Sequence, residues 1–251
     1  MKKKTNKGIF SAKVRSNIKT GYCFYKIELE FAGDAAKTFA KTEPGQFAQI
    51  DLSTAPLPPA QMIPSELADS SRRNIMLRRP FSFSDVQSSG DKTIVEILYC
   101  VVGPASLRMT ALKAGSFVSA IGPLGTGFSV PKGKSVALLV SGGMGSPPLQ
   151  HLANVLVKDY PKINVIVFTG AKTKDNFPYN PRQFAKTKIE TIVTTDDGSL
   201  GLKGLVSEQL ESWIEKGSQK ESEMIIYGCG PKAMLARIAE IANSKKSDYF
   251  F

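Results

Sequence analysis

The sequence predicts a two-domain protein in which an antiparallel β-barrel precedes an α/β domain with a parallel sheet. In the first half of the 251 residues, short segments of alternating polarity are separated by glycine and proline turns. This pattern is typical of a small barrel. After Pro131, continuous apolar strands alternate with helical segments, as in a sheet wound with right-handed crossovers. We expect the domains at residues 8–130 and 135–251.

The predicted barrel strands follow one another closely. Residues 22–31 end in apolar/polar alternation, which marks a half-buried strand. Pro44-Gly45-Gln46 is a turn before the next strand. We predict strands at residues 22–31, 47–52, 75–84, 93–102 and 116–121. Residues 53–74 are rich in proline, serine and alanine and are expected to form an inserted loop.

The predicted α/β domain begins with the run Val136–Val140, an apolar segment of the kind that is buried on both faces of a sheet. Further strands are predicted at residues 164–168, 189–193 and 224–227, with helices after Gly145 and around residues 206–214 and 232–242.

Composition excludes several classes of protein. Hydrophobic residues make up 42% and charged residues 22%, as in ordinary globular proteins. The apolar runs are too short to cross a bilayer, and no signal peptide follows the basic start, so a cytoplasmic protein is expected. The net charge is +11, which favours phosphate-bearing ligands. Part of this charge comes from a predicted flexible tail containing Lys2, Lys3, Lys4 and Lys7. The other lysines are scattered, so nucleic-acid binding is not expected.

The three cysteines, Cys23, Cys100 and Cys229, lie far apart and form no C-x-x-C pair. They predict neither a disulfide framework nor a set of metal ligands. His151 is the single histidine, so a histidine metal site or a catalytic triad is not expected. No metal site and no catalytic side chain are therefore predicted.

The segment from Val136 to Val157 combines a strand, a turn of small residues and a helix start. Gly142-Gly143-Met144-Gly145 lets the backbone approach a ligand, and the first turn of a helix attracts anions. The turn lacks the third glycine of the dinucleotide fingerprint. On its own it fits either a nucleotide site or an ordinary turn of an α/β domain.

Four motifs in one order carry a family resemblance: Arg79-Pro80-Phe81-Ser82, Gly122-Pro123-Leu124-Gly125-Thr126-Gly127-Phe128, Gly142-Gly143-Met144-Gly145 and Cys229-Gly230-Pro231. The chain resembles the ferredoxin–NADP reductase superfamily, which has an FAD-binding barrel before a nicotinamide-binding α/β domain. The second motif and residues 196–204 make it most similar to the electron-transfer subunit of class B dihydroorotate dehydrogenase.

The resemblance implies an FAD site on the barrel. Arg79 matches an arginine that pairs with an FAD phosphate, for which a guanidinium fork is suited. Ser82 matches the residue beside the reactive edge of the flavin. The implied FAD contacts are Arg79, Pro80, Phe81, Ser82, Leu98, Tyr99, Cys100, Ala105 and Ser106. The family usually has a basic residue in place of Cys100 and Gly-Thr in place of Ala105-Ser106. Without the resemblance, Arg78 and Arg79 are simply a basic pair at a strand end.

The implied nicotinamide contacts are Gly142, Gly143, Met144, Gly145, Cys229, Gly230 and Pro231. In the superfamily the matching cysteine lies beside the nicotinamide ring, so Cys229 is expected to contact the ring and not to act as a nucleophile. A buried structural cysteine is the alternative. Asp196-Asp197 fits either a carboxylate pair or a glycine-rich turn, and the turn is favoured.

By resemblance, an FMN-containing catalytic subunit oxidises dihydroorotate, and electrons pass through an iron–sulfur cluster to FAD and then to NAD⁺. A heterotetramer is expected, with NAD(H) preferred over NADP(H). The alternatives are a stand-alone ferredoxin or flavodoxin reductase and a basic binding module without enzymatic activity.

The family continues into a cysteine-rich segment with four ligands for a [2Fe–2S] cluster. These ligands are absent here, and Tyr249-Phe250-Phe251 has the aromatic character of a strand. The sequence is expected to be a truncated subunit, or else a natural short form whose terminal aromatic covers the flavin. In either case it is expected to hold FAD but no cluster.

Overall fold

The structure is a computed structural model that describes residues 8–184, 189–217 and 220–251. The chain forms two compact units, one ending at Gly127 and the other covering Phe128–Phe251. The predicted tail lysines Lys2, Lys3, Lys4 and Lys7 lie outside the described residues.

The first unit is built on a seven-stranded antiparallel sheet. Its strands are β1 (Gly8–Lys19), β2 (Phe24–Ala32), β3 (Phe47–Asp51), β4 (Arg79–Ser82), β5 (Asp85–Ser89), β6 (Lys92–Cys100) and β7 (Phe117–Leu124). The strand order is β4-β3-β7-β1-β2-β6-β5, so β4 and β5 form the two edges of the sheet. The prediction of an antiparallel β-domain is confirmed.

Alternating side chains on the strands build the core of this unit. On β2, the side chains of Ile27, Leu29 and Phe31 are buried, as the alternation predicts. Phe31 stacks on Phe39, with ring centroids 3.8 Å apart. Phe39 comes from a helix that the sequence pattern did not indicate.

Three short helices accompany the sheet: α1 (Gly33–Phe39), α2 (Ala68–Ser71) and α3 (Pro104–Met109). None was predicted, because helices of four to seven residues show too few turns for a helical period to appear. Strand β5 was also missed. The predicted strand at residues 75–84 is wrong at its start, because only Arg79–Ser82 pairs with β3. The predicted loop at residues 53–74 contains α2 and two short 3₁₀ turns.

The second unit is a six-stranded parallel sheet. Its strands are β8 (Val136–Gly142), β9 (Asn164–Ala171), β10 (Glu190–Thr195), β11 (Leu202–Lys203), β12 (Met224–Cys229) and β13 (Asp248–Phe250), and its helices are α4 (Ser146–Asp159), α5 (Val206–Lys216) and α6 (Lys232–Ser244). The prediction of a parallel α/β domain is confirmed. The aromatic strand predicted at the C-terminal residues corresponds to β13.

Strand β8 is apolar throughout because both of its faces are covered. Leu138 and Val140 belong to a core cluster that also contains side chains of α5 and α6. Ala137 and Leu139 belong to a second cluster, which contains side chains of α4. A continuous apolar run in place of alternation follows from this two-sided burial.

The strand order β11-β10-β9-β8-β12-β13 reverses direction at β8. The chain moves outward from β8 through β9 to β10, then returns to place β12 on the other side of β8. Open α/β sheets bind ligands at such a reversal, outside the carboxyl ends of the strands. Within the described residues, no helix has the length and apolar character needed to cross a bilayer.

Candidate functional site

Two glycine turns meet at the carboxyl ends of β8 and β12. The strands pair in parallel, with Ser141 opposite Cys229. The turn that begins at Gly142, the last residue of β8, therefore lies beside Gly230 and Pro231, which follow β12. Two glycine-containing turns separated by more than eighty residues in the sequence are therefore neighbours in space.

The two turns pack so closely that Gly142 and Gly145 have no room for a side chain of their own. A Cβ atom added to Gly145 would overlap the carbonyl oxygen of Cys229, which is backbone and cannot swing aside. A Cβ atom on Gly142 would lie 2.8 Å from Cδ of Pro231. These glycines are required by packing, and the packing fixes the position of one turn against the other.

Gly143 has a different role. Its φ is +53°, and no atom lies within 4 Å of the position that a Cβ would take. The backbone there is left-handed and open, a conformation that glycine adopts without strain. The site thus has an exposed backbone surface where a ligand can approach. Next to it, Met144 is partly exposed.

Helix α4 begins directly after this open backbone. The hydroxyl of Ser146 donates a hydrogen bond to the carbonyl of Gly143 over 3.1 Å, so the turn is tied to the first turn of the helix. Pro147 and Pro148 occupy positions whose N–H groups would have no partner within the helix. A helix of 14 residues places a positive partial charge at this end, which favours an anion.

Cys229 is partly buried at the end of β12. Burial raises the pKa of its thiol, so the thiol stays protonated at neutral pH and is a poor nucleophile. The predicted contact of Cys229 with a nicotinamide ring stays a prediction.

A buried polar pair lies beneath the turns, and the sequence analysis missed it. The hydroxyl of Ser141 donates to Oγ1 of Thr169 over 2.9 Å, and both residues are almost fully buried. The bond joins β8 to β9 at the last residues before the turn. Thr169 follows a run of apolar residues in its strand, so no pattern marked it.

On the first unit, the neighbours Arg78 and Arg79 differ in their partners. Arg78 donates to the carbonyl of Ser119 over 2.8 Å and forms an ion pair with Asp51 at 3.4 Å. Nη1 of Arg79 donates only to two backbone carbonyls, that of Leu77 at 3.1 Å and that of Arg78 at 3.4 Å. Within the described residues, Arg79 has no acidic partner. It is therefore the member of the pair whose charge is available to an anion.

The rest of the β4 motif contacts a buried tyrosine on β6. The ring of Phe81 meets that of Tyr99 edge-on at 6.2 Å. The hydroxyl of Tyr99 donates to Oδ1 of Asn17 over 3.1 Å, and burial raises the pKa of the Tyr99 hydroxyl.

Pro80 is exposed, and Ser82 is half-buried with no hydrogen-bond partner for its hydroxyl in the described part of the chain. Like Tyr99, Leu98 is buried.

Ala105 and Ser106, two of the predicted FAD contacts, lie in the first turn of α3. The hydroxyl of Ser106 accepts hydrogen bonds from the N–H groups of Val102 and Gly103, at 2.9 and 3.2 Å, and lies 3.1 Å from the Gly103 carbonyl, to which it donates. It is buried, as is Ala105. In this arrangement, the Ser106 hydroxyl stabilises its own loop, and its predicted FAD contact stays a prediction.

Cys100 is part-buried at the end of β6, and its Sγ atom lies 3.2 Å from that of Cys23. All three cysteines are free in the described structure, but the sequence spacing did not predict the contact between Cys23 and Cys100.

The remaining acidic candidates form a turn. Oδ1 of Asp197 accepts from the N–H and hydroxyl of Ser199 at 2.9 and 2.6 Å, and these bonds lower the pKa of the Asp197 carboxyl. This is the turn that was favoured over a carboxylate pair. The described residues contain no cluster of three or more His, Cys, Asp or Glu side chains suited to a metal ion.

Comparison with known proteins is consistent with this geometry. Residues 139–240 match the model of the oxidoreductase NAD-binding domain. The dihydroorotate dehydrogenase B (NAD⁺) electron transfer subunit of Bacillus velezensis is 32% identical over 231 residues, which cover 90% of this chain and 77% of that protein. The chain belongs to the family of dihydroorotate dehydrogenase B electron-transfer subunits. The protein of the same name in Fusobacterium nucleatum is 36% identical over 182 residues, which cover 70% of this chain and 65% of the relative.

Solved structures share the fold at lower identity. A ferredoxin NADP⁺ reductase from Neisseria gonorrhoeae, with bound FAD and NADP, superposes with a TM-score of 0.67 and 12% identity over 94% of this chain and 91% of its own. An NADH-dependent reduced ferredoxin-NADP oxidoreductase gives a TM-score of 0.69 at 21% identity over 92% of this chain and 72% of its own. The predicted two-domain reductase fold is confirmed, and so is the prediction of an oxidoreductase component.

The contact between the two turns predicts the effect of Gly145→Ala. The added Cβ must displace the Cys229 carbonyl, so the turns should move apart and NADH affinity should fall at least about tenfold, or ~1.4 kcal/mol. Calorimetric titration with NADH measures this. Leu205→Ala, which truncates an exposed side chain of the same unit, is the control and should bind as the wild type does. A folded Gly145→Ala variant with unchanged affinity would contradict the prediction.

Proposed function

We propose that the chain transfers electrons from a dihydroorotate dehydrogenase catalytic subunit, through FAD, to NAD⁺. The observation that carries this proposal is the similarity to electron-transfer subunits across 90% of the chain, which includes both units. The meeting of the two glycine turns at the reversal of the parallel sheet supports the nucleotide part. The cytoplasmic location expected from the sequence stays a prediction.

The first unit offers residues that fit FAD. The Arg79 guanidinium has no acidic partner within the described residues and can form paired hydrogen bonds with a phosphate. The hydroxyl of Ser82, which has no hydrogen-bond partner among the described residues, can donate to a ring nitrogen or oxygen. The hydroxyl of Ser106 is engaged in its own loop, so we assign the phosphate charge to Arg79. When bound, FAD accepts and releases electrons either in pairs as hydride or one at a time.

The second unit offers residues that fit a nicotinamide dinucleotide. The open backbone at Gly143 and the start of α4 would hold the pyrophosphate by N–H groups and helix polarity. Cys229 and Pro231 would flank the nicotinamide ring. Because the Cys229 thiol is protonated, its role is to pack against the ring, and no proton transfer is assigned to it. The protein's contribution is binding and orientation.

An iron–sulfur cluster does not fit this chain. A [2Fe–2S] cluster takes four thiolate ligands, and the sequence has three cysteines, of which Cys229 lies in a different unit from the other two. No step of the proposal passes through a cluster held by this polypeptide. The absence of a cluster stays a prediction, for which iron and sulfide analysis is the measurement.

The second candidate function is a stand-alone ferredoxin or flavodoxin reductase. The fold shared with ferredoxin reductases favours it, but at identities that establish fold and not partner. The two candidates differ in nucleotide preference and in whether a second subunit is needed.

The first test concerns Arg79. Arg79→Ala removes the cation assigned to the FAD phosphate, and a lost charge-assisted hydrogen bond costs ~1.5–3 kcal/mol. The variant should therefore retain about a tenth or less of the flavin after purification, measured by visible absorbance per chain. Arg79→Lys keeps the positive charge but lacks the two-pronged guanidinium group, so its flavin content should lie between those of the wild type and Arg79→Ala. Arg73→Ala, at an exposed loop position, is the control. Equal flavin content in all variants would reject the assignment.

The second test concerns the nucleotide. The segment after β9, where an arginine would favour the 2′-phosphate of NADP(H), contains no arginine as far as Asn176. It contains two exposed lysines, Lys172 and Lys174. We expect NADH to reduce the bound flavin faster than NADPH at equal concentration in stopped-flow measurements. Lys174→Ala should leave the NADH rate unchanged. Faster reduction by NADPH, together with a loss of that rate in Lys174→Ala, would favour the stand-alone reductase.

The third test concerns the partner. Co-expressed with an FMN-containing dihydroorotate dehydrogenase subunit, the chain should co-purify, with heterotetramer formation checked by light scattering. The complex should form NADH in the presence of dihydroorotate. A complex with the Gly145→Ala variant should assemble but form NADH more slowly. If the chain is fully active alone with a soluble acceptor and does not bind the subunit, the proposal fails.

A further inference from the structure

The end of β6 and the turn before β2 bring two cysteines into contact. Phe24 pairs with Cys100 in the antiparallel ladder, so a regular continuation of β2 would point Cys23 to the opposite face. Cys23 lies instead in a bend just outside the strand. Its carbonyl accepts from the N–H of Val101 over 2.8 Å, and its Sγ atom lies 3.2 Å from that of Cys100.

The two thiols are open to small reagents. Both cysteines are only partly buried. Cys23 lines a cavity of about 290 Å³, together with Tyr22, Tyr25, Met62 and Leu107. A peroxide molecule is far smaller than this cavity, so an oxidant of that size can reach Cys23 from solvent.

We propose that Cys23 and Cys100 are a site of reversible oxidative modification that takes a small peroxide as oxidant and a low-molecular-weight thiol as reductant. The oxidised form is an intramolecular disulfide between the two. To reach an ordinary S–S length of about 2.0 Å, the sulfur atoms must approach by roughly one ångström from their present 3.2 Å. Side-chain rotation at the bend supplies a movement of this size.

The chemistry balances with peroxide alone. The Cys23 thiol first loses its proton. The thiolate then attacks a peroxide oxygen, so that the S–O bond forms and the O–O bond breaks, and the departing hydroxide takes up the released proton to become water. The Cys100 sulfur then attacks the sulfenic sulfur of Cys23, the S–S bond forms and the S–O bond breaks. A second water leaves with the Cys100 proton. The two thiols lose two electrons in total, and the peroxide is reduced to two waters. Two external thiols return the electrons by disulfide exchange.

The surroundings assign a different role to each cysteine. Burial raises the pKa of the Cys100 thiol to about 12, and the neighbouring Cys23 sulfur adds to the shift. Since thiolates and not thiols attack peroxide, Cys100 is a poor first nucleophile. Cys23, which lines the cavity, is therefore the nucleophile that is oxidised first, and Cys100 attacks the resulting sulfenic acid.

The position of the pair also connects it to a loop of the first unit. Cys100 is followed directly by Val101, Val102 and Gly103, whose N–H groups are bonded to Cys23 and to Ser106. A disulfide would fix the start of this loop to the turn before β2. The modification would thus stiffen the segment between β6 and α3.

The experiment treats the full-length chain, with the flavin it retains, with hydrogen peroxide and then alkylates the remaining thiols. Mass spectrometry should show the loss of two hydrogens, one cross-linked peptide joining Cys23 to Cys100, and an alkylated Cys229. Treatment with a small thiol should restore three alkylatable cysteines. The control Cys229→Ser should form the same cross-link.

Two single variants test the order of events. In Cys100→Ser, Cys23 should accumulate as a sulfenic acid that reacts with a sulfenic-specific probe. In Cys23→Ser, Cys100 should remain an unmodified thiol at the same peroxide dose. If all three cysteines of the wild type stay alkylatable after peroxide, or if only intermolecular cross-links form, no disulfide site exists. If Cys100 is oxidised first in Cys23→Ser, the assigned roles are overturned.

Discussion

The parallel pairing of β8 with β12 is the interaction on which the second unit depends. It brings the turn after each strand to the same level, where a Cβ on Gly145 would collide with the Cys229 carbonyl. At Gly145 the two turns meet backbone against backbone, and at Gly142 the backbone meets the side chains of Pro231 and Met234. Because β8 is buried on both faces, between α4 on one side and α5 and α6 on the other, the turn starts from a rigid base.

Most strands and helices of the second unit were predicted because each shows a hydrophobic pattern that is continuous over many neighbouring residues. Val136–Val140 is a continuous apolar run, and Leu149, Leu152 and Leu156 recur on the buried face of α4. Strand and helix types follow from such patterns, and the right-handed crossover rule then limits the topology. The predicted motifs meet at one sheet edge because parallel strands end there. What the sequence could not indicate is the Ser141–Thr169 bond, which depends on which two strands are neighbours.

The first unit was predicted less well because its details depend on contacts between distant segments. The stacking of Phe39 on Phe31 involves a helix of seven residues, too short to show a period. The role of Ser106 is decided by the backbone of its own loop. The contact between Cys23 and Cys100 was missed because it depends on a bend that breaks the alternation of β2. Cys23 and Cys100 are 77 positions apart and share no motif, so no pattern in the sequence predicts their contact.

The departures from the family pattern in the first unit have one physical consequence. The family resemblance places a basic residue where Cys100 stands, and Cys100 is neutral, part-buried and in contact with Cys23. The next polar candidate, Ser106, is engaged with its own backbone. Arg78 is paired with Asp51, so Arg79 is the member of the arginine pair whose charge the proposed phosphate contact uses. The proposed phosphate contact therefore rests on Arg79, and two neighbouring thiols stand at the position where the family resemblance implies a basic residue.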